Sequence, residues 1–466
     1  MTSSYPDAES IELQNINTHK QVNQVSRGSR ESTRTEDQIE GTDRDEIKYP
    51  EGGWRAYSVV FGSFCGCCTC LGLVNSIGSV QAYVSSHQLA NLSALSISWI
   101  FSIYLSLAYA LGVVIGPIFD YRGSQIILVI STAFIFAGLM GAANSTQIYQ
   151  FILSFMSLGI GNGIGLTPLV SVINHWFLRK RGLITGLVTC GGSVGGLTFP
   201  LLLRYAFAKY GYVWAMRILA FMATGCMLIS IVFCKERIRR PKQERSISCL
   251  SRRGIDFQQI YQRAVAIARR HNQKSFWLTI AASFCTELSL VLTVTYFVVY
   301  AMAQGVSEST GYLLLTIWNA TSIGGRILPG FASDFMGKFN VHILMLLGLN
   351  LCFFVIWYGY GHSLKVLFVF AGIGGFFSGS ILGMIPTCLA SITKVSEFGE
   401  RYGILNFCLS FGNLVGVPIG AAIIREGSIS DYDHFVLLVA SLCLVGMILF
   451  ILARATIVGF RLNVKV

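Results

Sequence analysis

The sequence predicts an all-α membrane protein with twelve transmembrane helices arranged as two six-helix repeats. Three observations support this prediction: twelve apolar runs, Lys and Arg confined to alternate connections, and motifs that recur in both halves. Charged residues make up 12% of the 466-residue chain, whereas soluble domains carry about 25%. With 53% hydrophobic residues and a mean hydropathy of +0.60, the chain suits a lipid environment.

Twelve apolar runs are long enough to cross a bilayer core of about 30 Å, which takes about 20 helical residues. They lie at 56–79, 95–118, 126–144, 148–175, 183–207, 213–234, 276–303, 309–330, 341–361, 365–393, 403–424 and 433–455. Residues 1–50 are polar and are predicted to form a disordered cytoplasmic tail. A basic cytoplasmic loop, 235–275, separates an N-terminal six-helix half, 51–234, from a C-terminal half, 276–466.

Lys and Arg set the expected orientation. With both termini in the cytoplasm, 29 of the 35 basic residues fall on the cytoplasmic side and 4 on the other. This asymmetry is typical of membrane proteins, so we expect a multi-pass protein of the cell membrane with cytoplasmic termini. The net charge of +12 is then explained by the loops beside the lipid bilayer. No nucleic-acid partner is expected.

The two halves share motifs at matching places. The pattern Gly-x-x-x-Asp-x-x-Gly begins at Gly116 at the end of the second crossing and again at Gly330 at the end of the eighth. The fifth and eleventh crossings share three glycines spaced nine and four residues apart, beginning at Gly182 and Gly403. Parallel repeats of six helices are typical of transporters that rock two halves about a central site.

The Gly-x-x-x-Asp-x-x-Gly motifs resemble the cytoplasmic-loop signature of the major facilitator superfamily. Three segments resemble signatures of its monocarboxylate porters: Glu-Gly-Gly-Trp at 51–54, the segment 176–182 before the fifth crossing, and Gly-Arg-Ile-Leu-Pro-Gly at 325–330. From residue 49 to the C-terminus, the chain is identified as a member of the fungal monocarboxylate-porter-like branch. The resemblance implies alternating access and a small organic solute, with a monocarboxylate-like anion as the first expectation.

Four residues are candidates for substrate binding: Arg326, Asn75, Ser322 and Asn319. A charge inside the membrane is costly and is expected to face a cavity or a partner, and a guanidinium binds carboxylates at two points. A structural ion pair or snorkelling is the alternative for Arg326. By resemblance, Asn75 and Ser322 stand where the family carries a Lys and an Asp, which counts against proton–lactate symport. For each neutral residue, interhelical hydrogen bonding is the alternative.

Glu287 is the only acid deep in the crossings and is the candidate for proton coupling. The alternatives are that it neutralises Arg326 or makes a polar helix–helix contact. Asp120, Arg122 and Asp334 lie at cytoplasmic helix ends and are expected to act in gating. In one state of the cycle they would pair with basic residues or helix termini.

We therefore expect a secondary active or facilitative transporter, whose partners are a small-molecule solute, the bilayer and, for a coupled mechanism, a proton. A carrier or exporter of riboflavin or a secondary metabolite is the alternative. A nutrient sensor should carry a longer cytoplasmic extension than about 50 residues. No enzyme, cofactor or metal site is expected, because the crossings contain no His/acid cluster, nucleophile elbow or metal-ligand spacing. The glycine runs lack the Gly-Lys-Ser/Thr of a phosphate loop and are interpreted as packing faces. The Cys run at 65–70 has no His or acidic neighbour and is interpreted as packing.

Overall fold

The computed structural model describes residues 49–89, 94–237, 274–424, 428–459 and 464. The tail before residue 49 and most of the 235–275 loop lie outside these residues. The described residues are overwhelmingly helical, and we number the helices that correspond to the twelve predicted crossings α1 to α12. They are α1 Trp54–Ser86, α2 Ala94–Ala110 continued by Gly112–Arg122, α3 Gln125–Asn144, α4 Ile148–Ser171, α5 and α6 the arms 181–210 and 212–233 of Arg181–Phe233, α7 Lys274–Ala303, α8 Glu308–Met336, α9 Lys338–Leu351 continued by Cys352–Tyr358, α10 Leu364–Ser391, α11 Phe398–Ile424 and α12 Ile429–Val458.

The predicted all-α fold with twelve crossings is confirmed. Ten described helices are long and apolar enough to cross a membrane. One of them, the 53-residue Arg181–Phe233, would be about 80 Å long as one continuous helix at 1.5 Å per residue. It forms two crossings, because its backbone leaves the helical conformation at Gly211 (φ 75°, ψ 174°). The ten helices therefore supply eleven crossings, and α8 supplies the remaining one. It is not among the ten, but it is the most strongly amphipathic of the described helices.

The repeated motif ends two helices in the same way. Gly123 follows α2 with φ 85°, and Gly337 follows α8 with φ 95°. Their N–H groups donate to the carbonyls of Phe119 (2.9 Å) and Ser333 (3.0 Å). Only glycine adopts this left-handed backbone without strain, and it commonly terminates helices. The final Gly of each motif therefore ends one crossing so that the chain can turn into the next.

Two helix pairs, α2 with α11 and α5 with α8, bring the N-terminal and C-terminal sequences together through glycines. A Cβ at Gly399 would lie 2.8 Å from the Gly116 carbonyl oxygen, and a Cβ at Gly330 would lie 2.6 Å from that of Gly182. Such contacts are typical of membrane helices, whose backbones approach through small residues. Both contacts lie at the end of the bundle where α2 ends with Asp120 and Arg122 and where α5 begins at Arg181. We call it the basic end.

Large apolar side chains cover the outside of the bundle as well as its core. Phe221 and Leu344 are more than half exposed, whereas Phe155, Trp357 and Phe435 are buried. A helix that is apolar on all sides belongs in a membrane. The division into halves at 51–234 and 276–466 stays a prediction, and we keep the two names for those residue ranges.

Candidate functional site

A cavity of about 510 Å³ lies among α1, α2, α7, α8, α10 and α11. Its lining is mostly apolar, as Val74, Leu105, Leu290 and Val294 illustrate. Small-molecule sites are commonly apolar clefts of about 300–1,000 Å³ with a few polar groups. Most of the lining comes from the parts of these helices that lie away from the basic end. The cavity therefore extends from the middle of the bundle towards the opposite end.

Glu287 marks the inner limit of this cavity. Its side chain is 3% exposed, and it lines both the cavity and a smaller void of about 20 Å³ nearer the basic end. The Tyr109 hydroxyl donates to Oε1 at 3.0 Å, whereas Oε2 has no hydrogen-bond partner in the protein. Tyr109 also lines both spaces. The pair forms a polar partition between the cavity and the interior below it.

Arg326 lies outside the cavity lining, buried between α8 and α5. Its Nη1 donates to the Thr189 carbonyl, and its Nε has no hydrogen-bond partner in the protein. A Cβ at Gly192 would lie 3.2 Å from Nη1, so the glycine makes room for the guanidinium. Within the described part of the chain, no ion pair joins Arg326 to Glu287. Each carries a buried polar atom that the protein leaves unsatisfied.

The three neutral candidates lie beside α5, with Asn75 on α1 and the other two on α8. They differ in their access to the cavity. Asn75 lines the cavity, and its Nδ2 donates to the Gly192 carbonyl at 3.1 Å. The hydroxyls of Ser322 and Ser193 share a hydrogen bond of 2.7 Å. Asn319 donates to a carbonyl of its own helix at 3.2 Å. Ser322 and Asn319 do not belong to the lining, so the structure brings Asn75 and Glu287 to the cavity and places the other candidates beside α5.

Two of the gating candidates bind helix N-termini across the basic end. The Asp334 carboxylate of α8 accepts from the amides of Gly182 (2.8 Å) and Leu183 (2.9 Å) in the first turn of α5. The Asp120 carboxylate of α2 accepts from those of Gly399 (3.1 Å) and Glu400 (3.0 Å) in α11. Amides in a first turn have no intrahelical acceptor and favour a negative charge.

The third gating candidate, Arg122, is exposed in the last turn of α2. A further carboxylate, which sequence reasoning noted only as part of a motif, acts next to the Asp334 contact. The side chain of Glu51 accepts from the amides of Leu178 and Arg179, both at 2.7 Å, and of Lys180 at 3.3 Å. It therefore holds the connection that leads directly into α5.

Sequence reasoning did not select several polar residues that line the cavity, and three of them matter for the site. Tyr109 and Ser102 lie on α2, and Asn413 lies on α11. Asn413 is recognisable in the sequence as an amide inside an apolar run, but nothing there separates it from amides that only join helices. In the described ranges, no group of three or more His, Cys, Asp or Glu side chains is arranged to hold a metal ion.

Comparison with known proteins agrees with this architecture. The sequence model of the Major Facilitator Superfamily matches residues 62–361. The riboflavin transporter of Saccharomyces cerevisiae is 36% identical over 438 residues, covering 92% of this chain and 84% of the relative. The aspyridones efflux protein of Emericella nidulans is 30% identical over 405 residues, covering 85% and 78%. The structure of the human organic anion transporter MFSD10 superimposes with a TM-score of 0.64 at 15% identity, covering 85% and 98%.

Proposed function

The chain belongs to the major facilitator superfamily, and on that premise we propose that it carries a neutral organic solute by alternating access. The composition of the cavity is the observation that supports this solute class. Among the described residues that line it, Glu287 alone has a carboxyl group, and none is Lys, Arg or His. An anionic solute would therefore meet no positive charge there. A neutral solute would meet apolar walls and a few hydrogen-bonding groups.

One of the relatives fits this class of neutral solute. One relative is named as a transporter of riboflavin, which is an uncharged heteroaromatic molecule. Another relative is named for efflux of a metabolite. We keep the fungal monocarboxylate-porter-like branch as the proposed subfamily, on the motifs at 51–54 and 176–182. The neutral Asn75 and Ser322 would then mark a lineage that retained the porter architecture and changed its solute.

The contacts at the basic end support the proposed cycle. There, Asp120 and Asp334 join α2 to α11 and α8 to α5, while the cavity extends towards the other end. We propose the cell membrane with cytoplasmic termini, in which case the cavity faces outward and the basic end is the closed cytoplasmic gate. Release of both carboxylates from the helix N-termini would let the halves rock and expose the solute to the cytoplasm.

Glu287 is our candidate for coupling to protons. Its Oε2 has no hydrogen-bond partner in the protein, and it lies where the cavity meets the sealed interior. A carboxyl group at this position can take up a proton when the cavity faces one side and release it on the other. In the Glu287→Gln variant we expect transport to continue but to lose its response to a proton gradient. An unchanged response in a normally folded variant would remove Glu287 from the coupling mechanism.

A monocarboxylate remains a second candidate because of Arg326. Its Nε has no hydrogen-bond partner in the protein, and a buried guanidinium is stabilised by a carboxylate. This candidate requires a conformation in which Arg326 becomes accessible to solute.

Counterflow uptake into liposomes separates the two candidates. Purified protein would be tested with labelled riboflavin and labelled lactate, with and without an inward proton gradient, as wild type and as Arg326→Ala. We expect saturable riboflavin uptake that Arg326→Ala retains. Lactate uptake that Arg326→Ala abolishes, without riboflavin uptake, would establish the anion carrier and overturn the neutral-solute proposal.

A further inference from the structure

Three cavity residues carry buried polar atoms that the protein leaves unsatisfied. They are Oγ of Ser102, Oε2 of Glu287, and both Nδ2 and Oδ1 of Asn413. Their side chains are 0%, 3% and 1% exposed. A buried polar atom without a partner is costly, and hydroxyls in membrane helices usually bond to a carbonyl of their own helix. Thr316, for example, donates to the Tyr312 carbonyl at 2.8 Å.

The packing of α2 on α11 places Ser102 and Asn413 at the same level. The two helices run antiparallel, and a Cβ at Gly112 would lie 3.2 Å from the Gly403 carbonyl oxygen. Ser102 precedes Gly112 by ten residues, and Asn413 follows Gly403 by ten. Because α helices have the same rise per residue, the two polar side chains lie at matching heights on neighbouring helices.

The packing of α7 on α11 brings Glu287 close to that level. These helices run parallel, and a Cβ at Gly412 would lie 3.1 Å from the ring of Phe284. Glu287 lies three residues beyond Phe284, and Asn413 lies one residue beyond Gly412. At 1.5 Å per residue, their levels differ by about 3 Å, which is less than one helical turn. Three helices therefore present unsatisfied polar atoms at one level of the cavity.

We propose that Asn413, Ser102 and Glu287 form a subsite for an amide-like edge of the solute, in which an N–H lies beside a C=O. This inference rests on the proposed function and adds the chemical class of the solute: a lactam, an imide or a carboxamide. A side-chain amide presents a donor and an acceptor together and pairs with such an edge at two points. Ser102 adds a hydroxyl that donates or accepts.

Glu287 completes the pattern and determines what the subsite rejects. Ionised, its free oxygen accepts from an N–H of the solute; protonated, it donates to a C=O. A solute carboxylate offers only acceptors, so it would bring negative charge against Glu287 and could satisfy Nδ2 but not Oδ1 of Asn413. The subsite therefore distinguishes neutral amide-like solutes from carboxylates and links recognition to the group proposed to carry the proton.

Two probes that differ in one hydrogen-bond donor test this subsite. Riboflavin has an imide N–H between two carbonyls, and N3-methylriboflavin carries a methyl group in place of that hydrogen. Half-saturation of uptake into liposomes would be measured for both probes with wild type, Asn413→Leu, Ser102→Ala and Ser410→Ala. Ser410 is the matched control, because its hydroxyl lies on the same helix and donates to the Phe407 carbonyl at 2.6 Å.

For the wild type we expect the concentration that gives half-maximal uptake to be about 10-fold higher for N3-methylriboflavin than for riboflavin, as the loss of one or two hydrogen bonds predicts. Asn413→Leu should raise the half-saturating concentration of riboflavin by a similar factor and remove the preference between the probes. A purely structural defect would not remove that preference. Ser102→Ala should reduce the preference, and Ser410→Ala should keep it.

The outcomes separate the subsite from the proposed function. Saturable uptake of both probes with equal half-saturation by the wild type would overturn the subsite and leave the neutral-solute carrier standing. An unchanged preference in Asn413→Leu would have the same meaning. If Asn413→Leu does not fold, the wild-type preference and Ser102→Ala decide. No saturable uptake of either probe by folded wild-type protein would count against the proposed function, and the subsite would fall with it.

Discussion

The Asp334 contact with α5 allows the gate to be tested at single amides. The amides of Gly182 and Leu183 lie in the first turn of α5, where no intrahelical acceptor is available, and the Asp334 carboxylate binds both. The first intrahelical bond of α5 is donated by Ile184 to the Lys180 carbonyl. Protection of these two amides from hydrogen exchange therefore reports whether the gate contact is made.

The Asp334→Asn substitution keeps the size of the side chain but leaves one acceptor oxygen and no charge. A hydrogen bond to a charged group contributes about 1.5–3 kcal/mol, and the charge at a helix N-terminus adds about 0.3–1 kcal/mol. Asp334 is half-buried, so we take about 2 kcal/mol, which corresponds to roughly a 30-fold change in the opening equilibrium.

Hydrogen exchange measured by mass spectrometry on protein in nanodiscs gives the readout. Asp334→Asn should speed exchange at 182–183 by roughly 30-fold, the factor expected from the lost bond. If the contact is part of a gate, exchange at Gly399 and Glu400 should rise as well, because Asp120 holds them across the same end of the bundle. Asp433→Asn, near the start of α12 at the opposite end, is the control with the same change of charge.

Two outcomes would refute this reasoning at different levels. Unchanged exchange at 182–183 would mean that the carboxylate does not protect these amides. Faster exchange at 182–183 with unchanged exchange at Gly399 and Glu400 would show that Asp334 only caps α5 and does not hold the two halves together.

Two further predictions concern contacts within the N-terminal half. Gly72→Ala would place a Cβ 2.8 Å from the backbone of α5 and should lower stability by about 1–3 kcal/mol; Gly78→Ala on the same helix, with nothing within 4 Å, should change it by less than about 1 kcal/mol. Thermal unfolding in detergent would compare the two, and equal midpoints would contradict the packing argument. Glu51→Gln should speed hydrogen exchange at 178–180, because one carboxylate binds all three amides there. Exchange as slow as in the wild type would show that the connection is held by other contacts.

The fold could be predicted from the sequence because its signals are local. An apolar run of sufficient length must form a helix in the membrane, where backbone groups have no water to bond. The repeated Gly-x-x-x-Asp-x-x-Gly pattern also has a local part, since Gly123 and Gly337 end helices through their own backbone conformation. The sequence did not show where each Asp binds. The N-terminus that Asp334 contacts is about 150 residues away and belongs to the other half.

The candidate site was predictable only in part. A charge or an amide in an apolar run is visible in the sequence, and so Arg326, Glu287 and Asn75 could be selected. Whether such a group faces a cavity depends on how helices pack. Arg326 is turned towards the backbone of α5, whereas Glu287 and Asn75 line the cavity.

By itself, the sequence determined the membrane class, the number of crossings and the set of polar groups placed among apolar residues, whereas several helices end up to seven residues from the predicted bounds, as α1 does at Ser86. Only the tertiary structure decided which of those groups share the cavity. Ser102, Glu287 and Asn413 lie on three helices that are far apart in the chain. They reach one level because glycines on α2 and α11 let these backbones approach and fix their register. Register between helices arises from contacts across the whole bundle, and no local pattern of residues records it.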